Sequence, residues 1–275
     1  MTDAERRAAL EEIAEEVRVC TRCRLHETRT KAVPGEGDAS TEVVFVGEGP
    51  GMNEDREGRP FVGRAGGLLV NLLGHIGWGR EDVFITNIVK CRPPDNRDPE
   101  PDEIAACAPY LERQLATLDP SVVVTLGRYS MGRFMPGSRI SQAHGTTRIA
   151  DPATGARDAT VFAMYHPAAA LRTPSIERES YEDVALIPAV LTEARARRAE
   201  ARRAARAGQA GPIAADPGAN PAGAGAGTPD AEPSPDATAP QGELAPTGAT
   251  VPDTQPGSAA TIPDAEPSTD QLSLF

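Results

Sequence analysis

A three-layer α/β/α fold, built on a central and mainly parallel four-stranded sheet, is what the sequence predicts on two observations. Unbroken apolar runs of strand length recur along the chain, as in Val43-Val44-Phe45-Val46, Val83-Phe84-Ile85, Val122-Val123-Val124 and Val161-Phe162-Ala163-Met164. Strands buried on both faces read this way, and such strands belong to parallel sheets covered by helices. Between the runs lie segments with apolar residues at helical spacing, and strand–helix alternation favours parallel pairing through right-handed crossovers.

In chain order, residues 3–18 place Ala9, Leu10, Ile13, Ala14 and Val17 on one stripe, an amphipathic helix that delivers Cys20-Thr21-Arg22-Cys23. A polar loop through Pro34-Gly35-Glu36-Gly37 leads to the first strand, 42–47, which stops at Gly47-Glu48-Gly49-Pro50-Gly51. Glycine tolerates close backbone approach and proline fixes φ, so a rigid turn with exposed amides and one carboxylate is expected. Glu54-Asp55 and Gly58-Arg59-Pro60-Phe61-Val62-Gly63 then read as a loop over the sheet edge. Residues 64–76 are expected to form a helix, 83–89 the second strand, 102–118 a helix containing Cys107, 122–127 the third strand and 128–135 a short helix. A hairpin-like turn near 151–155 introduces the fourth strand, 160–165, which runs into His166-Pro167; residues 178–206 close the domain as one helix. Glu48, Asn87 and His166 thus fall at or near carboxyl ends of strands, where ligands of such sheets bind.

The domain ends well before the chain does. Residues 209–275 hold no Lys or Arg, nine Asp or Glu, and a single aromatic residue, Phe275, a composition expected to remain disordered. Removing those nine acids from the 40 in the chain leaves 31 against 28 basic residues, so the net charge of -12 is mostly tail and does not argue against nucleic-acid binding by the folded part. The organisation expected is a domain at 1–207, an acidic Pro/Ala/Gly-rich linker at 208–269 and a short apolar tip at 270–275. No run approaches a membrane helix and the N-terminus lacks a signal-peptide core, so a cytoplasmic protein without membrane contact, and a monomer, is expected.

Four cysteines in a reducing compartment suggest metal ligands more than disulfides. Cys20 and Cys23 form one close pair, while Cys91 and Cys107 stand alone. Four soft ligands suit zinc or a [4Fe–4S] cluster; a single close pair favours iron–sulfur, and spacing leaves both open. The Gly47–Gly51 turn fits neither the GxGxxG nor the P-loop pattern. His166-Pro167-Ala168-Ala169-Ala170-Leu171 sets an imidazole beside one bulky apolar side chain, the pairing needed by an enzyme that holds open a base stack. Phe61, among glycines, arginine and proline, offers a ring to a planar ligand or folds back on the core. The arginine-rich stretch 194–206 reads first as a solvated helix face.

Together Gly47-Glu48-Gly49-Pro50-Gly51, Glu54-Asp55, Gly58–Gly63, Asn87-Ile88-Val89-Lys90-Cys91-Arg92-Pro93-Pro94 and His166–Leu171 resemble the family 4, iron–sulfur uracil-DNA glycosylases over about residues 5–195. The resemblance implies a [4Fe–4S] cluster on Cys20, Cys23, Cys91 and Cys107, and a reaction in which uracil is flipped from DNA and its N-glycosidic bond is hydrolysed to start base-excision repair. It implies that His166 donates to uracil O2, Asn87 reads the uracil edge, Phe61 stacks on the base and amides near Glu48 and Gly49 add donors. Glu48, with Glu54, would favour the cationic sugar or orient water. Position 49 is glycine where the best-known branch of the superfamily has a water-activating aspartate. A related branch traps the sugar through a histidine in an arginine-rich loop; His144 lacks that context, so turnover is expected. The tip Gln271-Leu272-Ser273-Leu274-Phe275 resembles the motif by which bacterial repair proteins dock on the sliding clamp, with Gln271, Leu272, Leu274 and Phe275 as contacts. Two other readings remain: a non-catalytic metal-containing DNA-binding module recruited to the clamp, and a nucleotide-binding α/β domain with a zinc knuckle.

Overall fold

The computed structural model describes residues 1–209, with side chains through 206. The expected linker at 208–269 lies outside the described residues but for its first two, and the tip with Gln271, Leu272, Leu274 and Phe275 lies wholly outside them. Four strands, β2 (Val43–Gly47), β3 (Phe84–Asn87), β4 (Val122–Leu126) and β6 (Thr160–Met164), run parallel as expected. Two short strands extend the sheet at its edges, β1 (Glu36–Gly37) beside β3 and β5 (Thr147–Ile149) beside β6, both antiparallel, giving six strands in the order β1-β3-β2-β4-β6-β5.

The unbroken apolar runs have a simple cause, because successive residues of a strand face opposite layers and both layers are covered. Val44 and Val46 pack with Ile13 and Val17 of α1 (Asp3–Val19), Leu111 and Leu115 of α4 (Pro101–Leu118), and Met131 and Phe134 of α5 (Arg128–Phe134). Val43 and Phe45 pack on the other side with Leu69, Leu72 and Leu73 of α3 (Arg64–His75), with Val184 of α8 (Pro174–Val184), and with Ile187 and Leu191 of α9 (Ile187–Gln209).

Three departures from the sequence expectation have local reasons. The stretch before the glycine-rich loop, with Glu54 and Asp55, is a helix, α2 (Met52–Glu57), while 58–63 is the loop expected: the Glu54 carboxylate accepts from the Gly51 amide at the helix start, and Gly58, at φ 79°, ends it in the left-handed region. The second strand stops at Asn87: beyond it the consecutive Ile88 and Val89 amides bond the Gly47 and Glu48 carbonyls at 3.0 and 3.1 Å, where a strand would give only alternate amides to one neighbour. The single closing helix is two, since Pro188 has no N–H to continue the ladder from α8 into α9. The short α6 (Ile140–Ala143) precedes β5, and α7 (Pro167–Ala170) follows β6.

The arginine-rich stretch is partly structural. Arg195 pairs with Glu42, and Arg198, 9% exposed, bonds Asp119 and Asp158 at 2.5 and 2.8 Å. Glu42 and Asp119 precede β2 and β4, so these contacts fasten α9 to the amino end of the sheet, opposite the rim where Glu48, Asn87 and His166 stand.

Candidate active site

Parallel strands end side by side at the carboxyl rim, and the chain uses that rim to gather distant residues. Gly47 and Asn87 are register partners on β2 and β3. Glu48 and Gly49 follow β2, and Tyr165 and His166 follow β6; with Asn87, Glu54 and Phe61 they line one cavity of about 710 Å³, to which Asp98, Arg128 and Arg172 add charge. Gly47 is glycine because a Cβ there would stand 2.4 Å from Asn87 Oδ1 and 2.6 Å from Phe61 Cζ. A Cβ at Gly49 would meet Val89 Cγ2 at 2.7 Å, so the turn has no slack for an added carboxylate.

Asn87 is buried at 1% exposure, yet its Oδ1 has no hydrogen-bond partner among the described residues. A buried carbonyl left open costs free energy unless something completes it, and this one belongs to a residue of the cavity wall. Phe61 folds back on the core and also lines the cavity. It is 6% exposed and packs with the α3 core, and its ring centroid also lies 5.7 Å from that of His166. Its backbone is held at φ 51°, a left-handed value unusual for an aromatic residue; Arg80 fixes it by donating to the Phe61 and Pro60 carbonyls at 2.8 and 2.7 Å.

His166 caps α7, its Nδ1 accepting from the Ala168 amide at 3.1 Å. With Nδ1 so engaged, the ring proton is on Nε2, which makes that atom a donor. Burial, helped by Arg172 and opposed by Glu54, pushes the imidazole down to about 4, so it is neutral at pH 7. Glu48 moves the other way: burial, then the charge of Asp98, raises it above the usual carboxylate range, and Arg128 opposes this. Arg128 and Asp98 form an exposed ion pair at 2.5 Å at the cavity wall.

The two remaining sequence candidates, Glu54 and Leu171, differ in placement. Glu54 lines the cavity, but one carboxylate oxygen accepts from the Val62 and Gly63 amides at 2.9 and 2.8 Å and the other from Gly51 at 3.1 Å. These three amides tie α2 to the Phe61 loop, while the carboxylate still borders the cavity and its charge is felt by His166. Leu171, 38% exposed at the end of α7, does not line the cavity; it stands beside Arg172, which does. Arg128 and Arg172 went unnoticed in the sequence, although Arg128 directly follows the β4 carboxyl end and could have been found by the rule that found Glu48.

The four cysteines, from α1's end, from the segment after β3 and from α4, line a second cavity with Arg29 and Tyr110. Cys91 Sγ accepts from Arg29 Nη1 at 3.0 Å and Cys107 Sγ from the Lys90 amide at 3.2 Å, donors that suit sulfur carrying negative charge. Burial raises the thiols of Cys23 and Cys91 and takes Cys107 up to about 11. Among the described residues no three His, Cys, Asp or Glu side chains are arranged to hold a single metal ion.

Residues 34–187 match the model of the uracil DNA glycosylase superfamily. The chain is 50% identical over 183 residues to the type-4 uracil-DNA glycosylase of Sulfurisphaera tokodaii, spanning 64% of this chain and 81% of that one. It is likewise 50% identical to that of Saccharolobus solfataricus, over 63% of this chain and 82% of the other. With the type-4 enzyme of Thermotoga maritima it shares 46% over 62% of this chain and 88% of its counterpart. Glu48, Asn87 and His166 all fall within the matched span, and the chain belongs to the uracil DNA glycosylase superfamily, in its type-4 branch.

Proposed function

We propose that this chain excises uracil from DNA by hydrolysing its N-glycosidic bond, and so initiates base-excision repair. The observation that carries this reading is the unpartnered Asn87 Oδ1 in the wall of a cavity with room for a flipped pyrimidine. That oxygen accepts from uracil N3–H while the same amide donates to O4; cytosine offers the reverse pattern and is rejected. Phe61 stacks on the base. As the bond to the sugar breaks, negative charge grows on the uracil and positive charge on the sugar. The His166 Nε2–H donates to O2, and being neutral it stabilises that charge by a hydrogen bond without transferring a proton. Glu48, half-buried and in no ion pair among the described residues, faces the cationic sugar and orients water, while amides near Gly49 supply further donors. Glu54 holds the loops that carry these groups. Leu171, exposed beside the mouth, fills the gap left in the stack, and Arg128 and Arg172 meet the phosphates.

Cys20, Cys23, Cys91 and Cys107 would hold a [4Fe–4S] cluster, which supplies a cross-link between α1, the segment after β3 and α4 and takes no part in bond cleavage. The tip Gln271–Phe275 docks the enzyme on the sliding clamp. Oligonucleotides carrying one uracil or one cytosine test the reading. Free uracil with an alkali-labile site from the first substrate, and nothing from the second, is expected. Binding without release would mean a non-catalytic module.

A further inference from the structure

Lys90 is one of two lysines in the chain, and it is 1% exposed. Its Nζ donates to Thr86 Oγ1 at 2.5 Å, to the Asn87 carbonyl at 2.8 Å and to Gln114 Oε1 at 2.7 Å. Three ammonium protons meet three acceptors, none of them a carboxylate. The network closes behind them: Thr86 Oγ1 and Gln114 Nε2 both donate to the Pro34 carbonyl, at 3.0 and 2.8 Å. The backbone of Lys90 is tied as firmly, its amide to Cys107 Sγ at 3.2 Å and its carbonyl to the Val33 amide at 2.7 Å.

A buried side chain that gives all three of its donors to fixed acceptors holds in place the chain it bonds, and its position says which part of the chain that is. Asn87 is the last residue of β3, where the sheet ladder ends and the chain turns away at Ile88. We propose that Lys90 is a positioning residue for uracil recognition: its ammonium clamps the Asn87 carbonyl and the preceding turn of chain, and so fixes the direction in which the Asn87 amide points into the cavity. The same residue bonds Cys107, so the reading amide and the cysteine-lined centre share one anchor. This rests on the assignment of Asn87 as the group that reads the base.

The test uses the full-length protein as purified with its iron, in Lys90→Met, Thr86→Val and Asn87→Ala forms. Each is measured for inhibition by free uracil, for affinity toward a duplex with an abasic site, and for iron per chain. Lys90→Met should weaken uracil inhibition by about tenfold or more, the scale of a lost hydrogen bond to a charged group. Affinity for the abasic duplex and iron content should stay at wild-type levels, which a general loss of structure would not allow. Thr86→Val, nearly the same shape, keeps the lysine but removes one acceptor and should shift uracil inhibition in the same direction; it decides the matter if Lys90→Met is insoluble. Unchanged uracil inhibition in the soluble variants, or equal weakening toward the abasic duplex, overturns the proposal. If Asn87→Ala weakens uracil inhibition and the other two do not, only the role of Lys90 fails. If Asn87→Ala also leaves it unchanged, the base-reading assignment falls with it.

Discussion

Protonation of His166 should have a measurable effect on folding. The imidazole sits near 4 in the folded protein against an ordinary value of 6.5, with burial the largest cause. A histidine depressed on folding takes up a proton more readily in the unfolded chain, so native stability falls as pH drops below the unfolded value and stops falling below the folded one. Between pH 7.5 and about pH 5 the loss from this single group reaches at most about 2 kcal/mol, an upper limit because the ring is only partly shielded from solvent. Glu48, raised by burial, acts in the opposite sense, so the comparison must isolate the imidazole. Urea unfolding of the wild type and of His166→Gln at both pH values does so. The wild type should lose more stability on acidification than the variant, by up to that amount. Parallel pH slopes would show that His166 titrates normally and is not the neutral, Nε2-protonated donor described above.

Activity should show a different pH dependence, because Glu48 must be ionised to face a cationic sugar: kcat should decline on the acid side at a pH above that of an ordinary glutamate, and Glu48→Gln, slower by roughly 10²-fold or more, should lose that limb. A pH–rate profile of both proteins checks this. Cys107→Ser removes one of the four thiols around the second cavity and should lower soluble yield together with iron and acid-labile sulfide per chain, read by metal and sulfide analysis. Deletion of residues 271–275 should abolish capture by immobilised sliding clamp while uracil release from short oligonucleotides stays unchanged.

Much of the fold was legible because its signals are local. Each central strand is covered on both faces and so spells itself as an apolar run, and the strand-end rule brought Glu48, Asn87 and His166 to one rim from segments more than a hundred residues apart in all. What escaped were features decided elsewhere in the chain. β5, Thr147-Arg148-Ile149, is exposed at every residue and exists only because β6 offers a free edge. The break between α8 and α9 was visible in Pro188 but was overridden by the strong helical composition around it. That three backbone amides meet on the Glu54 carboxylate was not legible, because two of them come from the loop eight and nine residues on. The network around Lys90 was not legible either, since nothing near it in sequence announces that Gln114 meets it inside the protein.

The central claim is that a buried, unpartnered amide oxygen completes its hydrogen bonding on uracil. A crystal structure with free uracil bound tests it most directly. The account predicts the pyrimidine against Phe61, its N3 within hydrogen-bond distance of Asn87 Oδ1 and its O2 facing His166 Nε2. Uracil bound elsewhere, or in this cavity with N3 turned away from Asn87, would contradict it.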